Sequence, residues 1–345
     1  MKKTLLLGVV AISLIACNEA PKQEGKTETQ VVENKFEGLA EKAKGFFGEL
    51  PLIAENTENP VTEEKVMLGK KLYFDNRLSK DNTQSCNTCH NLDTYGVDNE
   101  PTSKGNNGGL GTRNSPTTLN AALHMTQFWD GREPDVEAQA GGPVLNPVEM
   151  EMPNEEEVIK RLSEVEEYKV LFAKAFSESD DAITYENMKK AIGAFERKLI
   201  TPSKFDDYLA GNEDALTDLE KEGLEKYIEV GCTTCHMGNV LGGQMYQKFG
   251  LFGNYWDLTK SEKIDNGRFD VTQNEADKYV FKVPSLRNIE FTAPYFHDGS
   301  VSDLAESVKI MAKAELNKDL TSEDVASIVT FLKTLNGEVA AELKQ

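Results

Sequence analysis

The chain has 345 residues, a formal net charge of −20 at pH 7, 39% apolar residues and five cysteines. That length supports two domains of ordinary size, each able to enclose a core. The negative charge works against nucleic acid or an anionic membrane surface as a partner, because like charges repel at long range; it suits a basic protein partner, or only keeps an exported chain soluble.

The start reads Met1-Lys2-Lys3, then an apolar run from Leu5 to Ile15, then Ala16-Cys17. A basic segment, a short apolar segment and a small residue make an export signal over residues 1–17. Leu14-Ile15-Ala16-Cys17 also has the form of a lipobox, in which the cysteine is acylated and ties the chain to a membrane; an ordinary cleaved signal is the alternative. Either way the expected location is the periplasm. Residues 18–48 are rich in Glu, Lys, Gln and Thr and are expected to be a flexible tether, since they offer little apolar surface to bury.

A helix is expected from Val61-Thr62, with Glu63 and Glu64 in its first turn and Val66, Met67, Lys70 and Tyr73 on one face. It leads to Cys86-Asn87-Thr88-Cys89-His90. Two thiols separated by two residues capture the two vinyl groups of one haem as thioethers, and the adjacent histidine coordinates iron. Residues 91–120 carry no helical period and seven glycines or prolines, the mark of a functional loop.

Helices are expected over residues 155–176, with Val158, Ile159, Leu162, Val165 and Phe172 at helical spacing, and over residues 184–199, with Met188, Ile192, Phe195 and Leu199. A boundary falls near Gly211-Asn212. The second half repeats the plan: a capping box from Thr217 to Glu220 opens a helix that runs into Cys232-Thr233-Thr234-Cys235-His236. Helices over residues 302–313 and 321–335 close the chain. The expected fold class is therefore all-α with long loops: two cytochrome c-like domains, residues 49–212 and 213–345, each with one covalently bound haem c. Four cysteines go to haem and Cys17 to the signal, leaving none for disulfides.

A haem iron closed on both faces only passes electrons, whereas one with a releasable position binds a small molecule. The chain has four histidines, so beyond His90 and His236 only His124 and His297 remain. Leu304, Val308 and Met311 share one helix face; Met311 either fills the core or gives the second haem a thioether ligand.

From about Glu55 to Leu335 the chain resembles the bacterial dihaem cytochrome c peroxidases. The stretches that carry the resemblance include Arg113-Asn114-Ser115-Pro116-Thr117, Gln127-Phe128-Trp129-Asp130-Gly131-Arg132, Gln139-Ala140, Gly142-Pro143, Glu149-Met150, Val283-Pro284-Ser285-Leu286-Arg287-Asn288 and Pro294-Tyr295-Phe296-His297-Asp298-Gly299. It implies a peroxidatic haem at His90 and an electron-entry haem at His236 with Met311 as its distal ligand. It also implies Trp129 between the haems, and calcium held by Asn114 with the carbonyls of Thr292 and Pro294, a donor set suited to a hard cation. Gln139, Pro143 and Glu149 then line a peroxide pocket, in which a carboxylate moves a proton from one peroxide oxygen to the other and Gln139 holds the peroxide. His297 is expected to hydrogen-bond a haem propionate or to brace the interface. The implied activity is reduction of hydrogen peroxide to water with electrons from a small cytochrome c or cupredoxin. The family also suggests a homodimer.

One position departs from the pattern. Where most of the family carries a histidine that closes the peroxidatic iron, sixteen residues past His90, this chain has Asn106, a poor haem ligand. Residues 105–109 read as a mobile turn, and the first haem is expected to be open without prior reduction. His124 is either a substitute ligand or a hydrogen-bonded core histidine. Oxidation of an organic or protein substrate is the alternative activity, although relatives that do this replace the distal methionine with tyrosine. A non-catalytic electron carrier would leave Gln139, Pro143 and Glu149 without a role.

Overall fold

The structure, a computed structural model, describes residues 35–345; the export signal and Cys17 lie outside the described residues. Residues Gly38–Gln345 form one compact unit. Within it, eight helices of nine or more residues carry the fold: α1 (Glu63–Tyr73), α2 (Val136–Leu145), α3 (Glu155–Ser163), α4 (Glu166–Ala175), α5 (Tyr185–Glu196), α6 (Asp218–Val230), α7 (Leu304–Leu316) and α8 (Ser322–Leu332). Strands are confined to β1 (Tyr246–Lys248) and β2 (Val280–Lys282), an antiparallel pair in which Gln247 faces Phe281. The chain is helix-rich, as the expected fold class requires.

Two helix crossings organise the unit, and they are built alike. Helix α1 is capped by Thr62, whose side chain accepts from Lys65 N, and carries Glu63 and Glu64 where the positive end of the helix favours acids. It crosses α5 at Gly69: a Cβ there would stand 1.9 Å from the Ala191 carbonyl oxygen. Helix α6 has the expected capping box between Thr217 and Glu220 and ends at Gly231 with φ 98°. It crosses α8 at Gly223, where a Cβ would stand 2.2 Å from the Ser327 carbonyl oxygen. At each crossing only hydrogen fits. One turn further along, Tyr73 meets Phe195 edge-on at 5.2 Å and Tyr227 meets Phe331 at 5.1 Å.

Two expectations need correction. The run expected over residues 155–176 is broken at Val165, whose backbone is extended (φ −104°, ψ 111°). Val158, Leu162, Tyr168 and Phe172 are all fully buried, so the apolar stripe continues across the bend and hides it from a periodicity argument. The tether is shorter than expected: Leu39–Lys44 is helical with Leu39 and Ala43 buried, and Phe47 packs edge-on against Phe205 at 5.3 Å. A few apolar side chains suffice there because they dock into a groove the rest of the chain already supplies.

Arg287, 2% exposed, donates to both carboxylate oxygens of Asp206 at 2.8 and 2.7 Å and to the Asn239 carbonyl at 2.7 Å. Burial pushes the Asp206 pKa up, but its hydrogen bonds with Arg287 and that charge outweigh burial and leave the carboxyl below its ordinary value. A depressed carboxyl contributes stability that is complete above its unfolded pKa and lost as pH falls through the folded one. Asp206→Ala strands a buried cation and is expected to cost about 3–5 kcal/mol, read as a lowered denaturant midpoint at neutral pH; a change under about 0.5 kcal/mol would rule out this role for the pair.

Candidate functional site

Each Cys-x-x-Cys-His motif is held by the tyrosine of the helix that precedes it. The Tyr73 hydroxyl donates to the His90 carbonyl at 2.6 Å, and the Tyr227 hydroxyl donates to the His236 carbonyl at 3.2 Å. Burial lowers the pKa of both imidazoles, that of His236 to about 4, so both are neutral and each has a lone pair for a metal. In His236 the Nδ1 proton goes to the Leu241 carbonyl at 3.1 Å, which leaves Nε2 as the coordinating atom. The His90 Nδ1 is buried without a partner. Cys86, Cys89, Cys232 and Cys235 are unpaired; burial pushes Cys86 and Cys232 up to about 12, so these thiols are neutral.

A largely apolar cavity of about 240 Å³ opens at the second motif. Cys232, Cys235 and His236 line it, and so do Leu304, Val308 and Met311, the face of α7 singled out by spacing. Neutral imidazole, paired thiols and a thioether around one apolar space fit a haem c. Trp129 and His297 line the same cavity. His297 is 2% exposed, stacks on Phe281 at 4.3 Å and meets Tyr255 edge-on at 5.0 Å, and its Nε2 is buried without a partner.

Asn114, Thr292 and Pro294 also reach this cavity. Asn114 ties its neighbours together: its N–H donates to the His297 carbonyl at 2.7 Å, and its carbonyl accepts from Trp129 Nε1 at 2.9 Å. Its side-chain Nδ2 donates to the Glu100 carbonyl at 2.9 Å, which leaves Oδ1 available to a cation.

Gln139, Pro143 and Glu149 do not line that cavity. Helix α2 is capped by Asp135, whose side chain accepts from Ala138 N at 2.8 Å, and places Gln139 and Pro143 one turn apart on one face. Proline has no N–H, so the Gln139 carbonyl loses the donor that an α-helix would give it. Beyond the helix, Asn146 Nδ2 donates to Glu149 Oε1 at 2.8 Å. Glu149 is half-buried; burial raises its pKa above the ordinary 4.5, against the opposing charge of Arg132 and the bond from Asn146. Its charge adds to burial and to Asp98 in raising the pKa of the Cys89 thiol. Arg132 and Asn146 were not assigned from sequence, although Arg132 lies within the Gln127-to-Arg132 stretch. Its guanidinium stacks on Phe128 at 3.4 Å and pairs with Asp130 at 2.9 Å.

The turn at Asn106, expected to be mobile, is tied down on the Glu149 segment. Asn106 N–H donates to the Glu149 carbonyl at 2.7 Å. Its Oδ1 accepts from Thr83 Oγ1 at 3.0 Å and Asp81 N at 3.2 Å, while Nδ2 donates to Glu151 at 3.2 Å. A Cβ on Gly105 would stand 1.6 Å from the Val148 carbonyl oxygen, so the two segments are in backbone contact.

The model of the family described as di-haem cytochrome c peroxidase matches residues 63–214. The chain is 44% identical over 304 residues to cytochrome c551 peroxidase of Pseudomonas aeruginosa, covering 88% of this chain and 87% of the relative. It is 43% identical over 281 residues to cytochrome c peroxidase Ccp of Escherichia coli, covering 81% of this chain and 59% of that longer protein. A more distant relative is the methylamine utilization protein MauG of Methylorubrum extorquens, 32% identical over 295 residues, 82% of this chain and 81% of the relative. Among solved structures, a MauG-like protein associated with microbial copper homeostasis superposes with a TM-score of 0.77 at 30% identity, covering 86% of this chain and 97% of the other. The two Cys-x-x-Cys-His motifs and these likenesses lead to one conclusion: the chain belongs to the dihaem cytochrome c peroxidase family.

Proposed function

We propose that this peroxidase reduces hydrogen peroxide at a permanently accessible first site, using electrons that enter at the second. The observation that carries this reading is the Asn106 turn docked on the segment that bears Glu149, with no histidine at the position from which the family closes the iron. When bound, the two haems exchange single electrons, and the one at the first motif also offers iron a free position for peroxide. Cys86 and Cys89 would hold one, with His90 as ligand; Cys232 and Cys235 would hold the other, with His236 and Met311 as ligands.

The protein's own contribution is proton handling and placement. Glu149 takes the proton from one peroxide oxygen and delivers it to the other as their bond breaks, so that water leaves without a charged hydroxide. Asn146 fixes the carboxyl and Arg132 limits the rise of its pKa. Gln139 supplies an amide to the bound peroxide beside Pro143. Trp129 stands between the two sites as the bridge for electrons. Asn114 Oδ1, with the carbonyls of Thr292 and Pro294, holds calcium at the join.

The second site takes its electrons from a small cytochrome c or cupredoxin in the periplasm, where Cys17 anchors the chain to a membrane. Two domains, residues 49–212 and 213–345, each carry one haem, and two copies of the chain form a homodimer. Oxidation of an organic or protein substrate is disfavoured by the thioether of Met311 in the second cavity.

Three outcomes are expected. Glu149→Gln lowers peroxide turnover with a reduced cytochrome donor by about 10²–10⁴-fold while both haem spectra persist; unchanged turnover would remove Glu149 from the reaction. Because the base form is required and burial raises its pKa, wild-type turnover falls as pH drops through a value above 4.5, and this acid limb is absent in Glu149→Gln. The oxidised protein shows a high-spin electron paramagnetic resonance signal at the first haem, which Asn106→His converts to low spin together with a new need for prior reduction. Two low-spin signals in the unaltered protein would refute the open site.

A further inference from the structure

Lys282 and His124 stand outside every role assigned above. Lys282 ends β2 and is 6% exposed. Its ammonium donates to His124 Nδ1 at 3.1 Å and to the Thr126 carbonyl at 3.0 Å. The carboxylate whose charge reaches it, Asp130, is already claimed by Arg113 at 2.6 Å and Arg132 at 2.9 Å. Among the described residues, then, no side chain neutralises Lys282 directly. His124 accepts at Nδ1, so its neutral ring carries the proton on Nε2, and that Nε2 is buried without a partner. The ring lies against Gly243.

An ammonium and an imidazole N–H, shielded from water and lacking an acceptor of full charge, are costly to bury unless an anion completes them. Both residues line the cavity that also holds the thiols of Cys232 and Cys235. The group that must enter that cavity carries carboxylates. We propose that Lys282 and His124 seat a propionate of the porphyrin held by Cys232 and Cys235, and that the Lys282 ammonium raises the electron affinity of that centre. The inference rests on the second motif holding a haem.

The charge has a defined effect. An added electron stabilises a neighbouring ammonium and is stabilised by it, so the potential of the second centre is high while Lys282 is protonated and falls as alkaline pH removes that proton. Burial lowers the Lys282 pKa, to about 8 in the chain alone, and the propionate's charge opposes that lowering, so the proton is lost on the alkaline side of that value. His124 adds no charge of its own, because burial and the Lys282 cation push its pKa well down, and Asp130 stays engaged by its two arginines.

The test is a spectroelectrochemical titration of both centres in the full haem-loaded chain, from neutral to alkaline pH, comparing wild type with Lys282→Met, Lys282→Arg and His124→Leu. The expected result is an alkaline fall in the second potential of wild type, a lower and pH-flat potential in Lys282→Met, and a high, pH-flat potential in Lys282→Arg. The alkaline fall moves to a new pH in His124→Leu, and the first centre changes little throughout. Identical potentials and pH profiles in wild type and Lys282→Met, or an unmoved fall in His124→Leu, overturn the proposal. A wild-type potential that shifts on adding acetate assigns the seat to an exchangeable anion and overturns it equally. Absence of a low-spin haem spectrum from the second motif of wild type would instead sink the reading on which the inference rests.

Discussion

Both motif histidines, His90 and His236, have their backbone held by a hydrogen bond from a tyrosine on the helix upstream. Tyr73 reaches the carbonyl of His90 and Tyr227 that of His236, and each can do so only because the helix it rides crosses its partner at a glycine four residues earlier, Gly69 or Gly223. With any side chain at the crossing, the helix axes would part and the phenol would move away from the motif loop. The aromatic contacts of Phe195 and Phe331 then fix the tyrosine rings from the other side. Packing and loop conformation thus descend from one steric requirement, met twice.

Much of this was legible in the residues. The two thioether motifs, the capped helices before them and the face of Leu304, Val308 and Met311 were readable because each depends on local spacing. The repeated Gly-x-x-x-Tyr of residues 69–73 and 223–227 was also on the page, and it acquires meaning only when the crossing partner is known. Less accessible were features set by contacts far apart in the chain. The break at Val165 hides beneath a continuous apolar stripe. Phe47 finds its pocket on Phe205, more than a hundred residues later. Glu149 looks like one acid of many until Asn146, Arg132 and the burial around them set it apart.

The Asn106 turn shows how a missing ligand is replaced by structure. Its amide satisfies Asp81, Thr83 and Glu151 with hydrogen bonds of 3.0–3.2 Å, uses for which imidazole geometry is poorly suited. The position at which the resemblance implies a ligand arm is here a brace beneath the segment that carries Glu149.

Arg113 binds Asp265 with two hydrogen bonds at 2.6 and 2.8 Å and Asp130 with a third at 2.6 Å, while Asn114 clasps Trp129 and His297. One short stretch thereby fastens segments around residues 130, 265 and 297 about the indole. Tunnelling probability decays exponentially with distance, so these bonds set the length of the electron path proposed through the indole, and leave the arrival of donor and oxidant as the quantities the cell can vary.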